Sequence, residues 1–127
     1  MSAPWLPSEL WSLRRLPVEL VTDIREGMAD TEEGARYHLD AVRRAFRRAR
    51  DSPLLEHTAA VEIINDALGE ISSPRFLEYF VAGKTERLGV EPNEGDYKMY
   101  YKDFTYHLVD HVHTLIAQLG LFLEPRP

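Results

Sequence analysis

The sequence contains no cysteine. Disulfide bonds, thiolate zinc sites, iron–sulfur clusters and cysteine nucleophiles are therefore excluded. The sequence also lacks a run of about 18 apolar residues, the minimum for a membrane-spanning helix. Its first residues lack the basic and apolar regions of a signal peptide. These absences lead us to expect a cytoplasmic protein that has no membrane partner.

Positive charge is scarce in this chain. There are 15 lysines and arginines against 21 aspartates and glutamates, so the formal net charge at pH 7 is −6. General affinity for nucleic acids or anionic membranes needs the opposite balance. The 127 residues, 44% of them apolar, match the length and core content of one domain. We expect a single helical domain over residues 1–127, with an N-terminal extension over 1–7 and a C-terminal tail over 121–127.

The sequence signatures of common enzymes are also missing. Gly83-Lys84-Thr85 looks like the end of a P-loop, but Glu78 occupies the position of the required upstream glycine. The chain contains none of the patterns G-x-G-x-x-G, G-x-S-x-G or H-E-x-x-H. We therefore predict no catalytic residue and no cofactor, and we favour a non-enzymatic protein over an enzyme.

Helical patterns fill most of the chain. Asp30 is the predicted N-cap of the third helix, with Glu33 completing a capping box. Gly89 and Gly120 are predicted to end the last two helices. The predicted helices cover residues 8–16, 17–28, 31–50, 53–71, 74–88 and 97–119. No segment alternates apolar and polar residues as a strand does, so the predicted fold is all-α, a compact single-domain bundle of five or six helices.

Five arginines occupy the C-terminal half of the third predicted helix. We call them the arginine ridge; they are Arg43, Arg44, Arg47, Arg48 and Arg50. At about 100° per residue, they cover one arc of the helix, away from the apolar stripe through Leu39, Val42 and Phe46. The ridge is either a solvated face that balances nearby acids or a docking surface for an acidic partner protein, because guanidinium groups pair with carboxylates. Nucleic-acid binding is the weaker alternative, since a single aromatic residue interrupts the arginines.

Three aromatic residues are candidate anchors for a partner. Trp5 and Trp11 lie in a short segment flanked by prolines, where packing on the same domain and packing on another subunit are alternatives. Tyr106 projects from the face of the last helix that lies opposite its apolar stripe, and tyrosine is enriched at interfaces. A homodimer is therefore one alternative for the partner.

Histidines in the last predicted helix have the spacing of a metal site. Asp103, His107 and His111 follow one another at intervals of four residues, so neighbouring members share a helix face. Two imidazoles at i and i+4 can chelate a first-row transition metal. His57 lies on an apolar stripe of its own helix and is a candidate third ligand. The favoured explanation is that these histidines are packing residues hydrogen-bonded to neighbouring aspartates, so we predict no metal.

These observations together predict a small adaptor, inhibitor or assembly component that binds another protein. The predicted partner-binding residues are Arg43, Arg44, Arg47, Arg48, Trp5, Trp11 and Tyr106. One alternative is a metal-binding helical bundle, acting as a hydrolase or transferase through His57, His107 and His111. The other is a nucleic-acid-binding protein that uses the arginine ridge.

Overall fold

A computed structural model of the chain shows an arrangement of α-helices. It describes residues 8–52 and 58–123, with the surroundings of side chains 12–52 and 59–120. The helices are α1 (Ser8–Arg25), α2 (Glu32–Arg50), α3 (Thr58–Glu70), α4 (Phe76–Leu88) and α5 (Glu94–Leu123). The described residues contain no strand. The predicted all-α class is thus confirmed, and the five helices fall within the predicted five or six. Within the same ranges, no helix combines the length and the apolar character that crossing a membrane requires.

The first helix continues through a proline. Pro17 lies inside α1 and is buried, so the predicted break between 8–16 and 17–28 is wrong. A proline in a helix leaves one carbonyl without its usual partner. Here Leu13, Leu20 and Ile24 are all buried in the core from both sides of the proline. Burial of this shared apolar face holds the two segments in one helix.

The turn from α1 to α2 has a glycine in the left-handed conformation. Gly27 has a φ of 80°. The N–H of Met28 donates to the carbonyl of Asp23 at 2.9 Å, and the N–H of Gly27 donates to the carbonyl of Ile24 at 3.2 Å. This pair of bonds is the Schellman motif, which satisfies the last carbonyls of a helix. The turn therefore ends α1 and brings the chain back along it.

The N-cap of α2 is Thr31, so the prediction of Asp30 in that role is wrong. The Thr31 hydroxyl oxygen accepts a hydrogen bond from the N–H of Gly34 at 3.0 Å. The Asp30 carboxylate instead lies 3.5 Å from Nζ of Lys98 and 3.6 Å from Nζ of Lys102, both on α5. Asp30 thus ties the start of α2 to α5 through charge.

Local sequence accounts for the end of α4 and for the start of α5. Gly89 ends α4 in the left-handed conformation, with φ 75°, as predicted. The side chains of Asn93 and Asp96 accept hydrogen bonds from each other's N–H, and this reciprocal pair begins α5. Ser73 accepts from the N–H of Arg75 just before α4. Gly120, however, lies within α5, which continues to Leu123; the predicted end at Gly120 is wrong because an isolated glycine costs a helix only about 1 kcal/mol.

The helices pack around α5. This helix contacts each of the other four, whereas α2 contacts α1, α3 and α5, and α4 packs chiefly on α5. The largest fully buried side chains are Phe46, Phe104, Leu13, Leu20, Ile64, Ile71, Leu77, Leu108, Leu115, Leu119 and Val42. This packing leaves the outer face of α2 and the rim of the contact between α4 and α5 exposed to solvent.

Candidate functional site

Two members of the arginine ridge are engaged within the protein. Arg43 Nε donates to the carbonyl of Ile71 at 2.8 Å, and its Nη2 donates to the carbonyl of Ser73 at 2.9 Å. Only 15% of the Arg43 side chain is exposed, and burial lowers the pKa of this arginine. Arg50 forms a fork with the adjacent Asp51, at 2.8 and 3.2 Å. Arg43 thus connects α2 to the turn between α3 and α4, and its guanidinium is already occupied.

The three remaining members of the ridge face solvent. We call Arg44, Arg47 and Arg48 the arginine trio. All three are exposed, and none of their side chains has a hydrogen bond or an ion pair with another described residue. By contrast, Arg36 on the same helix pairs with Glu32 at 3.3 Å and with Glu78 of α4. The structure therefore separates the arginines of α2 into members that are engaged within the protein and a trio that is exposed to solvent.

An exposed tyrosine lies on the same helix face as the trio. Tyr37 is 63% exposed and precedes Arg44 by seven residues, a spacing that places both on one side of a helix. It borders an open cavity of about 620 Å³ beside the turn between α1 and α2. The cavity is lined by Asp23, Gly27, Met28, Thr31, Glu33, Gly34, Tyr37 and His38. The outer face of α2 thus carries a tyrosine and a cavity at one end and the trio at the other.

The sequence patterns did not single out one buried histidine, His38. His38 is 2% exposed. Its Nδ1 lies 2.6 Å from the carbonyl oxygen of Gly34, and its Nε2 lies 3.0 Å from the carboxylate of Asp23. Both ring nitrogens therefore face acceptors, of which a neutral imidazole can donate to only one at a time. His38 connects α1 to α2 beside the cavity. A spacing of three or four residues could not predict this contact, because Asp23 lies 15 residues earlier in the chain.

The predicted aromatic anchors do not all fall on one surface. Tyr106 is 44% exposed on α5, a different helix from the one that carries the arginine trio. Trp5 and the side chain of Trp11 lie outside the described residues, as does His57.

A pair of histidines lies where α5 meets α4. The Nε2 atoms of His107 and His111 are 3.3 Å apart. The His107 ring stacks on Phe76 and Phe80, with centroids 5.9 and 5.3 Å away. Nδ1 of His111 lies 3.5 Å from a carboxylate oxygen of Glu70, the last residue of α3. Burial, and then the proximity of His111, lower the pKa of His107, which favours its neutral form.

Of the three candidate metal ligands that lie within the described residues, the structure brings two together. Asp103 forms an ion pair with Lys84 of α4 at 3.0 Å, which directs its carboxylate to a different partner. Among the described residues, no group of three or more histidine or acidic side chains is arranged to hold a metal ion. His107 and His111 therefore form a pair by themselves within this part of the chain.

No protein-family model, curated protein sequence or solved structure gives a significant match to this chain. Its function is therefore inferred from the geometry of its own residues.

Proposed function

We propose that this protein is a non-enzymatic binding module that docks an acidic segment of a partner protein on the outer face of α2. The observation that carries the proposal is the exposure of the arginine trio, whose side chains have no partner among the described residues. Arg44 is followed by Arg47 and Arg48 at i+3 and i+4, positions at which like charges destabilise a helix by about 0.2–0.5 kcal/mol each. The helix macrodipole offsets this cost only within the last turn, which Arg44 precedes. An external carboxylate would relieve the repulsion.

Charge complementarity supports an acidic partner. The chain carries a net charge of −6, and without the three positive charges of the trio it would carry −9. The trio is thus a local positive surface on an acidic protein, and guanidinium groups form strong, often bidentate, bonds with carboxylates. Tyr37 adds an exposed ring on the same face, and tyrosine and arginine are the side chains most often found at the energetic centre of interfaces.

The geometry of the face sets the length of the docked segment. Tyr37 and Arg48 are 11 residues apart, which corresponds to about 16 Å along a helix. An extended segment of about five residues covers that distance. We expect acidic side chains opposite the trio and an apolar side chain opposite Tyr37, beside the cavity that Met28 also lines.

A charge-reversal experiment tests the proposal. In the trio variant, Arg44, Arg47 and Arg48 are all changed to glutamate, which moves the net charge from −6 to −12 because each reversal changes it by two. The variant should remain folded. Exposed ion pairs contribute only about 0–1 kcal/mol each, and the reversed charges oppose the macrodipole by about 0.3–1 kcal/mol each. Circular dichroism checks the fold.

The control variant has the same net charge but leaves the face intact. It reverses the exposed Arg15, Arg25 and Arg87 on α1 and α4. Each protein carries a photo-crosslinking residue in place of Ala41, between Tyr37 and Arg44, and is irradiated in native extract. We expect the parent and the control variant to crosslink to an acidic protein segment, identified by mass spectrometry, and the trio variant to lose that product.

Two outcomes contradict the proposal. If the trio variant keeps the crosslinked product at the level of the control, the arginine trio does not bind the partner. If the product is instead sensitive to nuclease, and its yield falls steeply as salt is raised, the trio binds nucleic acid, because release of counterions from phosphates makes such binding strongly salt-dependent.

A further inference from the structure

The nitrogen atoms of the histidine pair are spaced as two ligands of one metal ion. Zinc–imidazole bonds are about 2.0–2.1 Å long, and in a tetrahedral ion two such nitrogens lie about 3.3–3.4 Å apart. Nε2 of His107 and Nε2 of His111 are 3.3 Å apart. We propose that His107 and His111 form a binding site for one divalent first-row transition-metal ion of the imidazole-preferring group, such as Zn²⁺, Ni²⁺ or Cu²⁺.

The surroundings of the pair orient both rings for this role. The Glu70 carboxylate lies 3.5 Å from Nδ1 of His111, and a carboxylate behind a histidine keeps the proton on Nδ1 and the lone pair on Nε2. The His107 ring stacks on Phe76 and Phe80 of α4, which restricts its rotation. The two donor atoms are thus held in position by three helices before any metal arrives.

Metal binding by the pair requires a change of tautomer in one ring. Nε2 of His107 and Nε2 of His111 face each other at hydrogen-bond distance, so in the metal-free pair one of them carries a hydrogen and the other accepts it. When a metal ion binds both Nε2 atoms, that hydrogen moves to Nδ1 of the same ring. The exchange balances without net release of a proton.

The site is open on its remaining coordination positions. Asp103 is occupied by Lys84, and the described residues supply no third side chain to the ion. Water or an anionic small molecule therefore completes the coordination sphere, as in sites that keep positions open for an exchangeable ligand. The metal site uses residues of α5, whereas the docking surface lies on α2. The two proposals therefore do not depend on each other.

Calorimetric titration of the full chain, prepared without a histidine tag, tests the site with Zn²⁺, Ni²⁺ and Cu²⁺ salts. We expect one ion per chain and at least tenfold weaker binding in His107→Ala and in His111→Ala. His113→Ala is the matched control, because His113 lies on the same helix with its side chain exposed; its affinity should equal that of the parent. Electron paramagnetic resonance of the Cu²⁺ form should show two nitrogen ligands, and one in either alanine variant.

Because His107 packs on α4, replacing it disturbs the packing as well as the ligand. A second variant, away from this packing, is therefore needed. Glu70→Gln changes an exposed side chain and keeps the fold, yet it should weaken binding about tenfold through the orientation of His111. Circular dichroism of each metal-free variant separates lost ligation from lost folding. The proposal is overturned if folded His111→Ala and Glu70→Gln both bind as tightly as the parent, or if His113→Ala weakens binding as much as His111→Ala does.

Discussion

Arg43 differs from its neighbours on α2 because its guanidinium is engaged within the protein. The Arg43 guanidinium supplies hydrogen bonds to the carbonyls of Ile71 and Ser73, where α3 has ended and α4 has not begun. A buried carbonyl left without a donor costs about 1–3 kcal/mol. Arg43→Ala should therefore lower the free energy of unfolding by about 2 kcal/mol, as measured by urea titration. Arg47→Ala, one turn further along, should change it by less than about 0.5 kcal/mol; equal losses in the two variants would contradict the structural role of Arg43.

The ion pair between Arg36 and Glu78 makes stability depend on acid pH. Arg36 donates a hydrogen bond to the Glu78 carboxylate, and this bond lowers the pKa of Glu78 from its ordinary value. The folded state therefore binds a proton at Glu78 less readily than the unfolded state does. The resulting stability is present above the ordinary glutamate pKa of about 4.3 and is lost as pH falls through the lower folded value.

Glu78→Gln measures that contribution. We expect the variant to melt at a lower temperature than the parent at pH 7, and the difference to shrink as pH falls from about 5 to 3. Glu86→Gln, an exposed change on the same helix, should give the same melting temperature as the parent across that range. If the difference in melting temperature between the parent and Glu78→Gln stays constant with pH, Arg36 does not stabilise the ionised carboxylate over the protonated one.

At the scale of elements, local signals predicted most of the helices, and tertiary packing decided the rest. The apolar stripe of α2 and the left-handed Gly89 can be read from neighbouring residues, and both were predicted. The break at Pro17 was predicted because proline is common at the first position of a helix, and burial on both sides of the proline overrides it. Asp30, the predicted N-cap, instead pairs with lysines of α5 about 70 residues later.

The candidate sites show the same contrast between local patterns and long-range contacts. The arginine trio and the histidine pair each lie on one helix, so spacings of three and four residues were enough to find them. The sequence could not show that Arg43 is engaged or that His38 meets Asp23, because these contacts join segments distant along the chain. Contacts between helices, rather than patterns within one, decide which polar residues are free to act.

Two glycines within helices give opposite predictions for the same change. A β-carbon at Gly34 would overlap the carbonyl oxygen of Met28 in the preceding turn, whereas one at Gly83 meets no atom within 4 Å. Gly34→Ala should therefore destabilise the protein by about 1–3 kcal/mol, the usual cost of overpacking. Gly83→Ala should stabilise α4 by about 0.5–1 kcal/mol, because alanine loses less backbone entropy in a helix. Thermal unfolding of both variants measures the two changes in stability. If Gly34→Ala stabilises the protein, the turn between α1 and α2 shifts at little energetic cost.

At the scale of the whole molecule, the helices contribute unequally to the core. The 19-residue α2 buries six residues, whereas the 13-residue α4 buries only Leu77 fully and packs chiefly on α5. Segments with few buried apolar contacts open at a lower free energy than the molecule as a whole. The second half of α4 is therefore expected to open first.

Native-state hydrogen exchange measures this order of opening. After correction for intrinsic rates, amides in residues 81–88 should exchange at least tenfold faster than those in 39–46 of α2, because local opening of α4 leaves the central packing of α2 on α5 intact. Mild denaturant should speed exchange in 39–46 more than in 81–88, since only global unfolding exposes the large surface on which denaturant acts. Equal protection and equal denaturant dependence in the two segments would show instead that the five helices unfold as a single unit. The contacts responsible would then be those of Arg36, Arg43 and Lys84, which connect α4 and its preceding turn to α2 and α5.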